Sequence, residues 1–319
     1  MSSSPGSPNA AGTPGALQPD PSNIGGVQQP PFVRLPDPAS LFDMRARRFT
    51  ALAEANAFGA STLKPYLLFL SNLGQVQHAI VASLPEPVLP TPDAIEWARS
   101  FEMPPIDRGS FVADAVAEMT LERFIAGAGN IDMPESAAAL ETLRQADTAT
   151  RHDLMRNVLA DAIPVEALSG HIFVALALQV HFARLAAGLD AKRLVPVGDG
   201  ACPCCGGPPV SSLIVGWPTA HGARYCACSL CATLWNYVRI RCTQCGSTKG
   251  IAYQEIDGGS GTVKAETCDN CHAYVKVLYQ DKEPSLEPVA DDVASLGLDI
   301  LMQEGPYRRG AVNLFLLGY

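Results

Sequence analysis

Cysteine is missing from most of this chain. The 201 residues before Cys202 and the 48 after Cys271 contain none, and all ten cysteines lie between those limits. Secreted disulfide-stapled proteins spread their cysteines through the fold, so this clustering favours metal in a reducing compartment instead. Excess positive charge is also missing: 23 Lys and Arg face 32 Asp and Glu, a formal net charge of −9. Phosphate backbones are held by clustered Lys and Arg, which argues against a nucleic-acid binder. The cysteine region is nearly neutral, with six basic residues (Arg224, Arg239, Arg241, Lys249, Lys264, Lys276) against four acids (Glu255, Asp257, Glu266, Asp269). No apolar run reaches the length of a membrane span; Ile172 to Val180 is interrupted by Gln179 and His181. The start, MSSSPGSPNAAGTPGA, lacks the basic and apolar regions of a signal peptide. No Ser-His-Asp arrangement, phosphate-binding glycine loop or pair of catalytic carboxylates stands out. The expectation is a soluble, cytoplasmic protein that is not an enzyme, with neither nucleic-acid binding nor membrane insertion.

The composition changes along the chain. Residues 1–33, rich in Ser, Pro, Gly and Asn, have little to bury and read as a disordered tail. Order is expected from Asp37-Pro38, an N-cap followed by a proline suited to the first helical position. Leu41, Phe42, Arg45, Phe49 and Leu52 follow at helical spacing, and Gly59 closes that segment. A second helix is predicted from Ser61 to Leu84, with Pro65 in its first turn. Pro85 to Pro105 reads as a proline-punctuated connection around a short turn containing Trp97. Helical patterns return at 110–127, 134–146, 148–161 and 165–187. The last is apolar nearly all round and belongs at the centre of a helical domain. Gly188, Pro196, Gly198 and Gly200 mark a boundary. Beyond it, short strands are expected at Trp235–Ile240, Tyr253–Ile256, Val263–Glu266 and Tyr274–Tyr279. A helix over 289–303 and an apolar tail, Phe315-Leu316-Leu317, packed back on the core, end the chain.

The cysteines repeat. Cys202-x-x-Cys205 is followed after 22 residues by Cys228-x-x-Cys231, and Cys242-x-x-Cys245 after 22 residues by Cys268-x-x-Cys271. Each cysteine of the second set lies 40 positions after its counterpart, as 242 − 202 shows. A duplicated unit with one metal per copy is implied. Two cysteines three apart wrap a tight turn, and two such turns supply four thiolates in a tetrahedron. Gly206 and Gly246 follow the second cysteine of each first turn, where the backbone bends sharply. Four soft thiolates suit zinc and iron alike, so the sequence implies two metal ions, iron or zinc. Cys204 and Cys226 are left over; alternative ligands or a redox-active pair is one reading, and small buried hydrophobes or incidental thiols is the commoner one. His78, His152, His171, His181 and His221 show no ligand pattern; His272, next to Cys271, is a candidate hydrogen-bond donor to the centre.

The fold class expected is α+β. An all-α domain over 34–195 is followed by two tandem rubredoxin-like or zinc-ribbon modules over 196–281, then a C-terminal helix and tail over 282–319. The runs CPCCGGPPVSS, GARYCACSLCATLWNYVRIRCTQCGS and AETCDNCHAYVKVLYQDKEPSLEPVADDVASLGLDILMQEGPYRRG, with the ending NLFLLG, resemble the formate dehydrogenase accessory (FdhE) family. The DPASLFDMRARRF segment and Met103-Pro104-Pro105 resemble it too. That resemblance implies a cytoplasmic maturation protein that binds the catalytic subunit of a respiratory formate dehydrogenase before export. It implies metal held by Cys202, Cys205, Cys228, Cys231, Cys242, Cys245, Cys268 and Cys271. Cys204 and Cys226 depart from the family pattern. A homo-oligomer is left open. The alternative is a rubredoxin-like iron electron carrier or thiol oxidoreductase acting on a protein partner.

Overall fold

The computed structural model describes residues 30–55, 63–131 and 134–316. Helices dominate the first part: α1 (Pro38–Glu54), α2 (Lys64–Val81), α3 (Pro92–Ser100), α4 (Ala115–Ala128), α5 (Pro134–Gln145), α6 (Thr148–Leu159) and α7 (Leu168–Ala187). Asp37 caps α1 as the sequence indicates, its carboxylate accepting from the Ala39 N–H at 3.2 Å, with Pro38 in the first turn. Asp114 and Asp147 cap α4 and α6 in the same way. Gly59 and most of the expected tail lie outside the described residues.

Three expectations need correction. The chain enters the fold before Asp37: β1 (Val33–Arg34) pairs antiparallel with β4, and Val33 is buried. Two apolar residues, Phe32 and Val33, suffice to seat this short segment on a sheet edge. The turn around Trp97 is a helix, α3, because Thr91 caps it by accepting from Ala94 N–H at 3.2 Å and Pro92 opens it. The helix expected over 289–303 is two, α8 (Ala290–Ala294) and α9 (Leu296–Gln303), broken at Ser295. The cause is Lys276, fully buried beneath the break, whose ammonium takes the carbonyls of Asp292 (2.7 Å) and Ser295 (3.1 Å).

Helix α7 lies at the centre of the helical part, with α1, α2, α4, α5 and α6 packed around it. By length and composition it could cross a membrane, yet 83% of its apolar window is buried inside the fold as a core helix. His181 on α7 is almost fully buried, and neither ring nitrogen has a hydrogen-bond partner among the described residues. Burial pushes its pKa down to about 4. The unfolded chain therefore binds a proton that the folded chain refuses between pH 6.5 and about 4. Stability contributed by the neutral ring is full above that window and falls as pH drops through it, by up to about 3 kcal/mol. Wild type should lose stability across this range faster than His181→Leu; parallel denaturation curves for the two would contradict it.

The remaining strands are β2 (Pro209–Ile214), β3 (Arg224–Cys228), β4 (Leu234–Tyr237), β5 (Ile251–Gln254), β6 (Val263–Cys268), β7 (Ala273–Tyr279) and β8 (Arg308–Arg309). They form one sheet in the order β1-β4-β3-β2-β7-β6-β5, with β8 beside β7. The duplication is visible here. Strands β2-β3-β4 and β5-β6-β7 are each an antiparallel meander, and the two join where β2 pairs parallel with β7, Ser212 opposite Val277. The two copies are thus halves of one sheet. Nor does the core stop at position 196: Phe49, Phe124 and Phe182 share one apolar cluster with Cys202, Cys205, Cys228 and Trp235. Of the expected tail, Phe315 and Leu316 pack inward, with Phe315 edge-on to Phe49 at 6.0 Å; Leu317 lies outside the described residues.

Candidate metal centres

Each half-sheet places two cysteine turns at one end. In the first, Cys202 N–H donates to Gly207 O at 2.9 Å and Gly206 N–H to Cys202 O at 2.8 Å. The second half repeats this pattern, Cys242 N–H to Ser247 O at 2.8 Å and Gly246 N–H to Cys242 O at 3.1 Å. The residue after the second cysteine is left-handed in all four turns: Gly206 (φ 73°), Ala232 (58°), Gly246 (69°) and His272 (55°). Glycine meets this demand without strain in two of them; Ala232 and His272 adopt it against their own preference. The side chain of His272 approaches the ring of Tyr307, centroids 6.3 Å apart. Its backbone, rather than a ring donor, is what the cysteine turn uses.

The turns bring the eight paired cysteines into two clusters, Cys202, Cys205, Cys228 and Cys231, and Cys242, Cys245, Cys268 and Cys271. Within each, all sulfurs lie within 4.8 Å of one another. Cys202 and Cys231 are 3.6 Å apart, Cys205 and Cys228 3.4 Å, Cys242 and Cys271 3.6 Å, Cys245 and Cys268 3.7 Å. These are not bonded pairs. A tetrahedron of sulfurs around zinc at ~2.3 Å has edges of ~3.8 Å, so the donor sets fit one soft cation each. Two clusters of four cysteines indicate two metal ions per chain.

The protonation pattern agrees. Burial and hydrogen bonds from neighbouring sulfurs raise Cys202 well above the ordinary thiol range. Burial also opposes ionisation of Cys231, but the hydrogen bonds it accepts from Cys202, Cys204, Cys205 and Cys228 hold it well below that range. In the second cluster the Ser247 N–H, then Asn270, lower Cys245 to about 6, while burial pushes Cys271 up to about 12. Metal binding to such thiols releases their protons, so a divalent cation would replace the protons that burial holds on Cys202 and Cys271.

The two centres differ in setting. All four sulfurs of the first are buried inside the main core. The segment Met103–Arg108 brackets it: Ile106 N–H donates to Cys204 O at 3.0 Å and Arg108 N–H to Cys205 O at 3.2 Å. Arg108 then pairs with Asp161 at 2.8 Å and bonds Val158 O at 3.2 Å, tying α6 to the cysteine turn. A Cβ on Gly206 would lie 3.2 Å from Pro104, so this bracket is close-packed. In the second centre Cys245 is exposed and Cys271 half-buried. No cysteine of that centre belongs to an apolar core cluster among the described residues.

Cys204 and Cys226 stand outside both clusters. Cys204 takes a hydrogen bond from the Thr233 hydroxyl at 3.3 Å, and Cys226 lies 3.6 Å from the Ser212 hydroxyl. Burial raises the Cys226 thiol, though the adjacent Arg224 charge opposes this. Arg224 was not singled out by sequence reasoning, because nothing in its neighbours marks a buried arginine. It reaches Glu266 in the other half-sheet at 2.9 Å and bonds the carbonyls of Arg239 (3.3 Å) and Arg241 (3.1 Å). Arg241 directly precedes Cys242, so Arg224 ties the first half to the entrance of the second centre. Strands β3 and β6 are separated by β2 and β7, so this pair reaches across two intervening strands.

Models of three FdhE domains match this chain in succession: FdhE, N-terminal, over residues 30–199; FdhE, central domain, over 201–239; and FdhE, C-terminal domain, over 240–316. A "Protein FdhE homolog" of Rhizobium meliloti is 49% identical over 306 residues, covering 95% of this chain and 98% of the relative. "Protein FdhE" of Escherichia coli is 33% identical over 291 residues, covering 90% and 91%. The crystal structure of the FdhE protein from Pseudomonas aeruginosa superposes with a TM-score of 0.79 at 31% identity, over 91% of this chain and 99% of that one. The helical part and both halves of the cysteine-bearing sheet are all covered, and the chain belongs to the FdhE family.

Proposed function

We propose that this protein is a maturation factor that binds the catalytic subunit of a respiratory formate dehydrogenase in the cytoplasm before export. In this reading it holds two metal ions through Cys202, Cys205, Cys228 and Cys231, and through Cys242, Cys245, Cys268 and Cys271. The observation that carries it is family membership along nearly the whole described chain, with both cysteine clusters assembled. Bound in such a set, zinc would hold the turns together and iron would add one-electron chemistry. The chain's own residues form the cradle. Backbone N–H groups of Leu230 and Cys231 point at Cys228 Sγ, and that of Gln244 at Cys242 Sγ. Such donors stabilise thiolate charge without supplying protons.

A protein partner is also supported by the surface. Helix α3 buries only Ala98, and its exposed Trp97 lies tilted against the exposed Phe101, 5.0 Å between ring centroids. Met103, two residues after Phe101, is also exposed. Deleting the gene in its host tests the role. Respiratory formate dehydrogenase activity should fall while synthesis of the catalytic subunit continues, and the tagged protein should recover that subunit before export. Unchanged activity, with no related protein present, would sink the assignment. A second reading, a rubredoxin-like electron carrier, draws on the exposure of Cys245: iron there would sit within reach of a redox partner. A red protein with a reversible one-electron transition would favour it.

A further inference from the structure

The two centres share ligand type and spacing but not surroundings, and the difference falls on one residue. Cys202, Cys205, Cys228 and Cys231 are all buried, as are Cys242 and Cys268 of the second centre. Cys245 alone among the eight is exposed. Among the described residues its one side-chain support outside the cluster is Asn270, whose amide donates to Cys245 Sγ at 3.4 Å. Cys242 and Cys268 stay anchored in the sheet: the Arg241 carbonyl is held by Arg224, and Cys268 ends β6 opposite Ile251 and Ala273. In the segment that leads into Cys242, Val238 and Ile240 are exposed, 57% and 56% accessible, apolar side chains four and two residues before that ligand in sequence.

We propose that Cys245 is a releasable ligand, and that the second centre accepts a thiolate from outside the chain in its place. This rests on the reading that each cluster holds a metal ion. The exchange would be redox-neutral: an incoming thiol would give its proton to the released Cys245 sulfur as its own sulfur took the fourth donor position, so that no electron or proton is left over. Cys242, Cys268 and Cys271 keep hold throughout. The first centre admits no such exchange, because every sulfur there is enclosed by the core. A cysteine on a partner polypeptide fits better than a free small thiol, since Val238 and Ile240 offer a chain a place to lie.

Chemical rescue tests this on the full chain. Cys245→Ala, purified anaerobically with 2-mercaptoethanol, should retain two metal equivalents by elemental analysis after gel filtration, and about one without it. Cys242→Ala and Cys268→Ala should hold about one under both conditions. A short apolar peptide carrying one cysteine should rescue at lower concentration than 2-mercaptoethanol if the source is a polypeptide, and at equal concentration if it is a small thiol. In the wild-type chain, the chelator 4-(2-pyridylazo)resorcinol should withdraw one equivalent at least tenfold faster than the other. Asn270→Leu should quicken that fast phase only. Equal rescue of Cys268→Ala, no rescue of Cys245→Ala, or a single release rate for both equivalents would overturn the proposal. A wild-type chain holding fewer than two equivalents would instead remove the metal reading beneath it, and the proposal with it.

Discussion

Replacing Cys228 with serine is expected to unfold most of the protein, whereas Cys268→Ser should remove one metal and loosen only the far half of the sheet. The reason is where the two centres sit. Cys228 belongs to the same apolar cluster as Phe49, Phe124 and Phe182, and its turn is joined to α7 by the Gln179 amide on Ser229 O at 2.9 Å. Structural zinc sites contribute on the order of 10–16 kcal/mol in small domains, against a net stability of about 5–15 kcal/mol for a whole domain. Losing the first metal also leaves three buried sulfurs without their cation. Far-ultraviolet circular dichroism of Cys228→Ser should show a large loss of helix, and gel filtration an expanded or aggregated chain. Cys268→Ser should keep the helical signal and about one metal equivalent. Cys204→Ser and Cys226→Ser should keep two equivalents, since neither sulfur lies in a cluster. A Cys228→Ser protein with wild-type helix content and thermal midpoint would show that the first centre is not part of the core's stability.

The second large effect is expected at Arg224. Its side chain is fully buried and meets Glu266 through two nitrogens, at 3.1 and 2.9 Å. Ser212 Oγ accepts from its Nε at 3.1 Å and Tyr253 donates to Glu266 at 2.8 Å, so the pair is enclosed by hydrogen bonds. Burial acts against the guanidinium, but the surrounding negative charge, Glu266 included, raises its pKa overall. Removing one partner strands the other charge without water. Arg224→Leu should therefore cost about 3–5 kcal/mol, read as a lower urea midpoint. The double variant Arg224→Leu with Glu266→Leu should recover part of that loss, because no lone buried charge remains. Arg224→Leu should also weaken the second centre, since the Arg241 carbonyl next to Cys242 loses its donor. An unchanged midpoint and two retained metals would contradict both statements.

What was legible beforehand follows from how local each signal is. The paired spacing of Cys202 through Cys271 announced two matched clusters because a C-x-x-C turn is a local backbone object, and the 40-residue offset is plain in the letters. Asp37-Pro38 announced the start of α1 for the same reason. The strands β2 and β3 went unpredicted: β2 is buried on every residue, so its pattern does not alternate. The fusion of two modules into one sheet also went unseen, because the parallel pairing of β2 with β7 joins residues more than sixty apart. The break at Ser295 depends on Lys276, and the first centre's bracket on Met103–Arg108 reaching across the chain. Only packing reveals such long-range partners. The same holds for the unequal exposure of the two centres, since their sequence motifs are alike.

The central claim is that each half of the sheet holds one metal ion through four cysteines. The most direct measurement is elemental analysis of the untagged full chain, purified without oxygen, taken together with its visible spectrum. Two equivalents of iron or zinc per chain are predicted, with one equivalent lost in Cys268→Ser. One equivalent or none in folded wild-type protein, or two still bound in Cys268→Ser, would contradict it.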